Sequence, residues 1–177
     1  RKMGEIVPDI RPSVHIVPHK YILDWLLEGN LDIMLGFEEG MPMCSGISYQ
    51  ELIRLKCCCV VTQDHPFAWK KEIGEKELLG ESMVICDSPA IPPAISQVQN
   101  RLKPFLSPPS VCYCDQVQAA ISLIKSGFGF AVLPELKDNS DTSLVSVPVA
   151  GTGLSSYGLL YRLSDKNTVL QRVLGAL

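Results

Sequence analysis

The sequence predicts an α/β fold that is divided into two lobes. Short apolar stretches with the composition of β-strands alternate along the chain with amphipathic patterns of helical period. This alternation is typical of a mostly parallel sheet with crossover helices, and its interruption suggests a second lobe. A chain of 177 residues that is 46% hydrophobic can bury the core of such a fold.

The first part of the chain predicts a strand, a helix and a second strand. Residues 14–17 alternate in β-rich side chains and predict a short strand. Residues 21–27 place apolar side chains at helical spacing, and Gly29 suits the end of this helix. Residues 31–36 are almost continuously apolar, as expected for a strand that is covered on both faces. Residues 47–61 then predict one long strand, or two strands with a crossing between lobes.

The rest of the chain continues the alternation of strands and helices. Residues 83–86 predict a buried strand. Ser88 before Pro89 predicts the start of the next helix, because serine caps free N–H groups and proline is tolerated at the first helical position. Asp115 is predicted to cap a further helix, which Gly127 ends. The other predicted elements are helices at 95–105, 116–126 and from about 168 onward, and strands at 111–114, 128–133, 144–149 and 156–161.

Charge and hydropathy exclude several classes of function. The net charge of −3 argues against direct binding of nucleic acid by this chain. Affinity for the phosphate backbone comes from clustered Lys and Arg side chains. The apolar runs are broken long before the ~18 residues that a membrane span requires. The N-terminus has neither a secretory signal nor an initiator methionine, so we expect an excised fragment of a cytoplasmic protein.

Seven cysteines form an odd set without repeated CxxC spacing. This pattern fits neither a disulfide framework nor a zinc site, so we expect reduced thiols, no metal site and no cofactor. Neighbouring side chains of a strand point to opposite faces, so Cys57, Cys58 and Cys59 cannot converge on one ion and are expected to be small buried apolar residues. Cys112 and Cys114 share a face, and core packing is expected for them as well.

Three segments resemble the effector-binding domain of LysR-type transcriptional regulators. Residues 26–33 (LLEGNLDI) are similar to the family's helix-to-strand junction, L..G.LD. Residues 60–68 (VVTQDHPFA) are similar to its strand that ends in HPLA, and residues 121–134 (ISLIKSGFGFAVLP) are similar to its V..G.GIALLP. The order and spacing of the three segments cover nearly the whole chain, which makes the combination specific.

The resemblance implies a fold like that of type 2 periplasmic binding proteins, with two Rossmann-like lobes and an interlobe cleft that holds a small-molecule effector. Lobe I would contain residues 1–56 and 148–177, and lobe II would contain residues 57–147. A winged helix-turn-helix domain and the first strand of lobe I would precede residue 1 in the full protein. The chain is then expected to catalyse nothing, to form a homodimer or higher homo-oligomer, to contact no membrane, and to reach DNA only through the missing domain.

The resemblance also implies a set of effector contacts. At the position of Phe37, family members often reach the effector with a polar or cationic side chain, so phenylalanine favours an effector with apolar or aromatic surface. Ser88 is expected to offer its hydroxyl and adjacent N–H groups to the effector, to cap its helix, or to do both. The remaining expected contacts are the wall residues Pro89 and Ala90, Gln116 at the start of the facing helix, and Pro134 at the base of the cleft.

Two other classes of function stay open from the sequence. A solute-binding protein of a membrane transporter would share this fold, but it should carry an export signal and fewer free thiols. An enzyme on the same scaffold would need a nucleophile, a base and an orienting group that converge, and no residue set supports one. Asp64 and His65 could form part of such a set, but before Pro66 they are expected to form a turn.

Overall fold

The computed structural model describes residues 8–17, 19–40, 44–88, 90–137 and 142–175. They form a mixed α/β fold, which confirms the fold class that the sequence predicts. The chain divides into two compact units. Unit 1 contains Arg1–Gly36, Met41–Ile53 and Tyr157–Leu177, and unit 2 contains Phe37–Gly40 and Arg54–Ser156. The lobe boundaries that the sequence suggests remain a prediction.

Most of the predicted elements are present, and residues 47–61 belong to one long strand. The strands are β1 (Ile33–Phe37), β2 (Ile47–Thr62), β3 (Met83–Cys86), β4 (Val111–Cys114), β5 (Phe130–Pro134), β6 (Leu144–Pro148) and β7 (Leu154–Arg162). The α-helices within the described residues are α1 (His19–Glu28), α2 (Glu75–Leu78), α3 (Pro93–Leu102), α4 (Val117–Lys125) and α5 (Thr168–Leu174). No helix in the described ranges is both long and apolar enough to cross a membrane.

The larger core belongs to unit 2. Its strands have the order β2-β5-β3-β4, and β6 also pairs with β2. β3 is parallel to both of its neighbours, whereas β2 is antiparallel to β5 and β6. All side chains of Met83–Cys86 are buried, as expected for a strand whose two faces are covered. Ile95 and Val98 of α3 and Ala120 and Ile124 of α4 are buried in the same core.

A smaller core belongs to unit 1, where the strand order is β1-β7-β2. Its buried residues are Leu26 of α1, Met34 of β1, Ile47 of β2 and Leu160 of β7. Burial of one such aliphatic side chain stabilises the folded state by about 1.5–3 kcal/mol. The helix and the three strands of this unit therefore depend on one another for their stability.

Two expectations for unit 1 are wrong. Residues 14–17 form no strand, and Val14 and Ile16 are 86% and 92% exposed. No strand of the described residues pairs with this segment. The alternating segment therefore lacks the hydrogen-bonded neighbour that a β-strand needs. β1 is not covered on both faces, because Leu35 is 55% exposed.

The helix predicted at residues 95–105 is shorter than expected. α3 ends at Leu102, and the 3-10 turn Lys103–Phe105 follows it. Pro104 lacks the N–H group that would continue the α-helical hydrogen bonds, so the helix stops here. The side chain of Phe105 is consequently exposed instead of completing the apolar stripe.

Candidate functional site

Three parallel strands of unit 2 end along one edge of the sheet, which we call the carboxyl edge. β3 lies between β4 and β5 and runs in the same direction as both. Open α/β sheets bind their ligands at the carboxyl ends of such strands, where separate loops meet. The residues of the carboxyl edge are Asp87 and Ser88 after β3, Asp115 and Gln116 after β4, and Pro134 and Glu135 at the end of β5.

Ser88 forms a turn and does not cap a helix. Its Oγ accepts a hydrogen bond from the N–H of Ala90 at 3.2 Å, and its carbonyl accepts one from the N–H of Ile91 at 3.2 Å. α3 begins at Pro93, with Pro92 as an N-cap that makes no side-chain hydrogen bond. The prediction that Ser88 starts this helix is wrong, because proline at the first helical position sets the start further along the chain. The half-buried Ser88 hydroxyl can still donate its hydrogen to a ligand.

Gln116 is the N-cap residue of α4, and its exposed side chain makes no cap hydrogen bond. Its carbonyl accepts a hydrogen bond from the N–H of Ala120 at 3.1 Å. The prediction that Asp115 caps this helix is wrong, because the helix begins at Val117 and its cap position falls on Gln116. The Gln116 amide therefore presents both a donor and an acceptor at the carboxyl edge.

The other expected contacts differ in their exposure. Ala90 is exposed, and Pro134 is half-buried and lies opposite Cys57 in the register of β5 and β2. Phe37 is only 6% exposed, so little of its ring is accessible. Pro89 lies outside the described residues. The assignment of the whole set to an effector stays a prediction.

A buried glutamine that the sequence analysis did not single out supports the end of β3. Gln99 is 2% exposed. Its Oε1 accepts a hydrogen bond from the N–H of Cys86 at 2.9 Å, and its Nε2 donates one to the Cys86 carbonyl at 3.2 Å. β5 pairs with β3 at Met83 and Val84, so the amide takes the place of a neighbouring strand further along β3. A polar side chain within the apolar stripe of α3 was the available signal in the sequence.

The carboxyl edge carries negative charge. Asp87 and Asp115 are exposed, and they directly follow Cys86 and Cys114, which are partners in the register of β3 and β4. The N–H of Asp87 donates a hydrogen bond to the Cys114 carbonyl at 2.8 Å, which holds the two strand ends together. Burial raises the pKa of the Cys86 thiol, and the neighbouring Cys114, Asp115 and Asp87 raise it further. Carboxylates at this edge disfavour an anionic ligand because like charges repel.

The run of cysteines in β2 is buried, as the sequence predicts. Cys57 is 3% exposed, and Cys58 and Cys59 are fully buried. Burial raises the pKa of Cys57 to about 11 and the pKa of Cys58 to about 12, and it raises the pKa of Cys59 as well. These thiols stay protonated at neutral pH and pack as small apolar side chains. Within the described residues, no group of three or more His, Cys, Asp or Glu side chains could hold a metal ion.

His65 has a local structural role, and the predicted turn at Asp64-His65-Pro66 is present. Its Nδ1 accepts a hydrogen bond from the N–H of Phe67 at 3.1 Å, at the start of the 3-10 turn Pro66–Trp69. The ring centroids of His65 and Phe67 lie 4.7 Å apart. The imidazole therefore caps a turn.

The chain is similar to a family of regulatory domains. The family model described as LysR substrate binding domain matches residues 5–177. A search of curated proteins finds no match. Among solved structures, the reduced form of the OxyR regulatory domain from Pseudomonas aeruginosa aligns with a TM-score of 0.73 at 15% identity, over 99% of this chain and 86% of that chain.

Two further solved structures have a similar fold. The CcmR regulatory domain from Synechocystis, in complex with 2-PG, aligns with a TM-score of 0.72 at 17% identity, over 98% of this chain and 86% of that chain. A reduced form of OxyR from N. meningitidis aligns with a TM-score of 0.70 at 17% identity, over 99% of this chain and 81% of that chain. Identities of this size show a common fold.

Proposed function

Because the chain belongs to the LysR substrate-binding domain family, we propose that it binds its small-molecule effector at the carboxyl edge of unit 2. Domains of this family sense effectors for transcription regulators and have a fold like that of type 2 periplasmic binding proteins. The family assignment favours such a regulatory domain over a solute-binding protein of a transporter.

The observation that supports this location is the common end of three parallel strands. Polar groups from two loops meet there, namely the Ser88 hydroxyl after β3 and the Gln116 amide after β4. Both side chains have hydrogen-bonding capacity to offer a ligand, and Ser88 follows the fully buried strand β3. Binding sites of this kind combine a few oriented polar groups with an apolar lining.

The charge at the carboxyl edge limits the class of effector. Asp87 and Asp115 are exposed, and a bound anion would have to overcome their repulsion. The family resemblance also places Phe37 where members often carry a polar or cationic side chain, so the cation that could pair with an anionic effector is absent at this position. We therefore expect a neutral or cationic effector with apolar or aromatic surface.

The proposal extends to the full regulator. Effector binding biases an equilibrium between conformations by its differential affinity for them, and the change passes to a DNA-binding domain attached to this one. The regulator works in the cytoplasm as a homodimer or higher homo-oligomer. The domain itself catalyses no reaction, and its lobes divide the sequence at about residues 56 and 147.

Thermal-shift screening tests the effector site. The panel contains amines, amino acids and neutral aromatic metabolites, with carboxylates of similar size for comparison. A ligand at 100 times its Kd stabilises the folded chain by about 2.7 kcal/mol, which raises Tm by roughly 5–10 °C. In the variant Ser88→Trp the indole occupies the site, so the shift should fall close to zero.

Ser107→Trp is the matched control. Ser107 is exposed and precedes β4, so it lies towards the opposite, amino end of the parallel strands. This variant should show the same ligand-induced rise in Tm as the wild type. Equal stabilisation of the wild type and Ser88→Trp by every ligand found would place the effector elsewhere.

A further inference from the structure

Each of two neighbouring strands of unit 2 ends in a cysteine that an aspartate follows. Cys86 ends β3 and Cys114 ends β4, and the parallel register makes the two cysteines direct partners. We propose that these two thiols form a binding site for a soft monovalent cation, Cu(I) or its analogue Ag(I). This site does not depend on the proposed effector.

The two cysteines lie side by side. Cys86 and Cys114 are partners in the parallel register of β3 and β4, so their side chains project from the same face of the sheet. The Cys114 thiol donates a hydrogen bond to the carbonyl of Ile85 at 3.7 Å. Cys86 is 1% exposed, whereas Cys114 is half-buried. A cation can therefore reach the pair through Cys114, and Cys86 supplies a second sulfur that is shielded from water.

The spacing of adjacent strands suits a bridging cation better than a disulfide. Neighbouring strands lie about 4.7–4.9 Å apart, whereas the Cβ atoms of a disulfide are only about 3.5–4.5 Å apart. A disulfide between Cys86 and Cys114 would therefore pull two strands of a packed sheet towards each other. A zinc–thiolate bond is about 2.3 Å long. Two metal–sulfur bonds of about that length span roughly 4.6 Å, so a cation between the sulfurs leaves the strands in place.

The number of ligands selects the kind of cation. No group of three or more metal-binding side chains is present among the described residues, so this pair has no third or fourth ligand for tetrahedral zinc. Soft thiolates favour Cu(I), which accepts low coordination numbers. A two-sulfur site thus discriminates against the divalent cations that need more ligands.

The local charge also favours a cation. Asp87 and Asp115 are exposed and directly follow the two cysteines, so their carboxylates attract the free cation. Binding converts two S–H groups and one M⁺ into M(SR)₂⁻ and two H⁺, with no electron transferred. Because the released protons enter the equilibrium, the apparent affinity should rise with pH.

Competition for Cu(I) with a chromophoric chelator tests the site. The reduced protein is titrated without oxygen against bicinchoninate, with ascorbate to keep copper monovalent, and Ag(I) is measured in a parallel titration. The wild type should retain one cation per chain. Cys86→Ser and Cys114→Ser each leave a single thiolate and should each weaken binding roughly 100-fold or more, because loss of even an outer-shell partner of a metal site costs about 10–100-fold.

Cys112→Ser is the matched control. Cys112 shares the strand and the face of Cys114, but its register partner is Val84. This variant should bind Cu(I) as tightly as the wild type. Cys114→Ser alters only a half-buried side chain, so it preserves the test if Cys86→Ser fails to fold. A wild type that loses Cu(I) as readily as Cys114→Ser, or equal losses in Cys112→Ser and Cys114→Ser, would overturn the proposal.

Discussion

At the end of β3, the buried side-chain amide of Gln99 makes the backbone hydrogen bonds that a neighbouring strand would otherwise make. It satisfies both the N–H and the carbonyl of Cys86, and it thereby holds the strand end from which Asp87 and Ser88 follow. Gln99→Leu removes both hydrogen bonds but retains most of the side-chain volume. Each buried backbone group left without a partner costs about 1–3 kcal/mol, so we expect the free energy of unfolding in urea to fall by roughly 2–4 kcal/mol.

Gln97→Leu makes the same chemical change on the exposed face of α3. Its effect on the free energy of unfolding should stay within about 0.5 kcal/mol, as is usual for surface substitutions. Equal destabilisation by both variants would mean that helix α3, and not the Cys86 contact, is sensitive to the loss of glutamine.

At the scale of elements, the turn between α4 and β5 contains two glycines in the left-handed region. Gly127 has φ 84° and Gly129 has φ 104°, a region that glycine adopts without a steric penalty. A Cβ on Gly129 would lie 1.9 Å from the Ser82 carbonyl oxygen, which accepts the hydrogen bond from the Phe130 N–H at 3.0 Å. The start of β5 therefore packs directly against Ser82, the residue before β3, and only glycine fits at position 129.

Substitution of each glycine separates backbone strain from steric overlap. A Cβ on Gly127 meets open space, so Gly127→Ala should cost only the left-handed strain of about 1–2 kcal/mol. Gly129→Ala adds overpacking, for a total of roughly 2–5 kcal/mol. Urea unfolding of the two variants measures the difference, and equal values would rule out the overlap with Ser82.

At the scale of the whole molecule, the two compact units have separate cores. In unit 1, the guanidinium of Arg162 donates hydrogen bonds to the Leu26 carbonyl and, at 2.6 Å, to the Leu31 carbonyl, and it pairs with the Asp165 carboxylate. Both charged side chains are largely buried, at 15% and 9% exposure. Arg162→Met leaves Asp165 unpaired, which should cost about 3 kcal/mol.

Hydrogen exchange shows whether this loss stays within unit 1. We expect faster exchange of the amides of α1 in Arg162→Met, with little change in β3 of unit 2. Arg172→Met is the control, because the pair of Arg172 with Asp9 is exposed and contributes little to stability. Faster exchange in α1 and β3 alike would show that the two units unfold as one.

The sequence by itself determined the elements whose patterns are local. The apolar run at residues 83–86 predicts β3, and the stripe that includes Val98 predicts α3. Gly127 predicts the end of α4. Period, burial and backbone conformation at these places depend on nearby residues. The choice of Ser88 and Gln116 as effector contacts came from the resemblance to LysR-type regulators and not from a local pattern. The assignment of these two residues to an effector stays a prediction.

Only the tertiary structure decided which distant residues meet. The register that pairs Cys86 with Cys114, and the contact of Gln99 with Cys86, join residues that a local pattern cannot connect. The same holds for residues 14–17, which alternate like a strand but find no partner among the described residues. The alternation of residues in a strand predicts which side chains lie on the same face. Its hydrogen-bonding partners depend on the packing of the whole sheet.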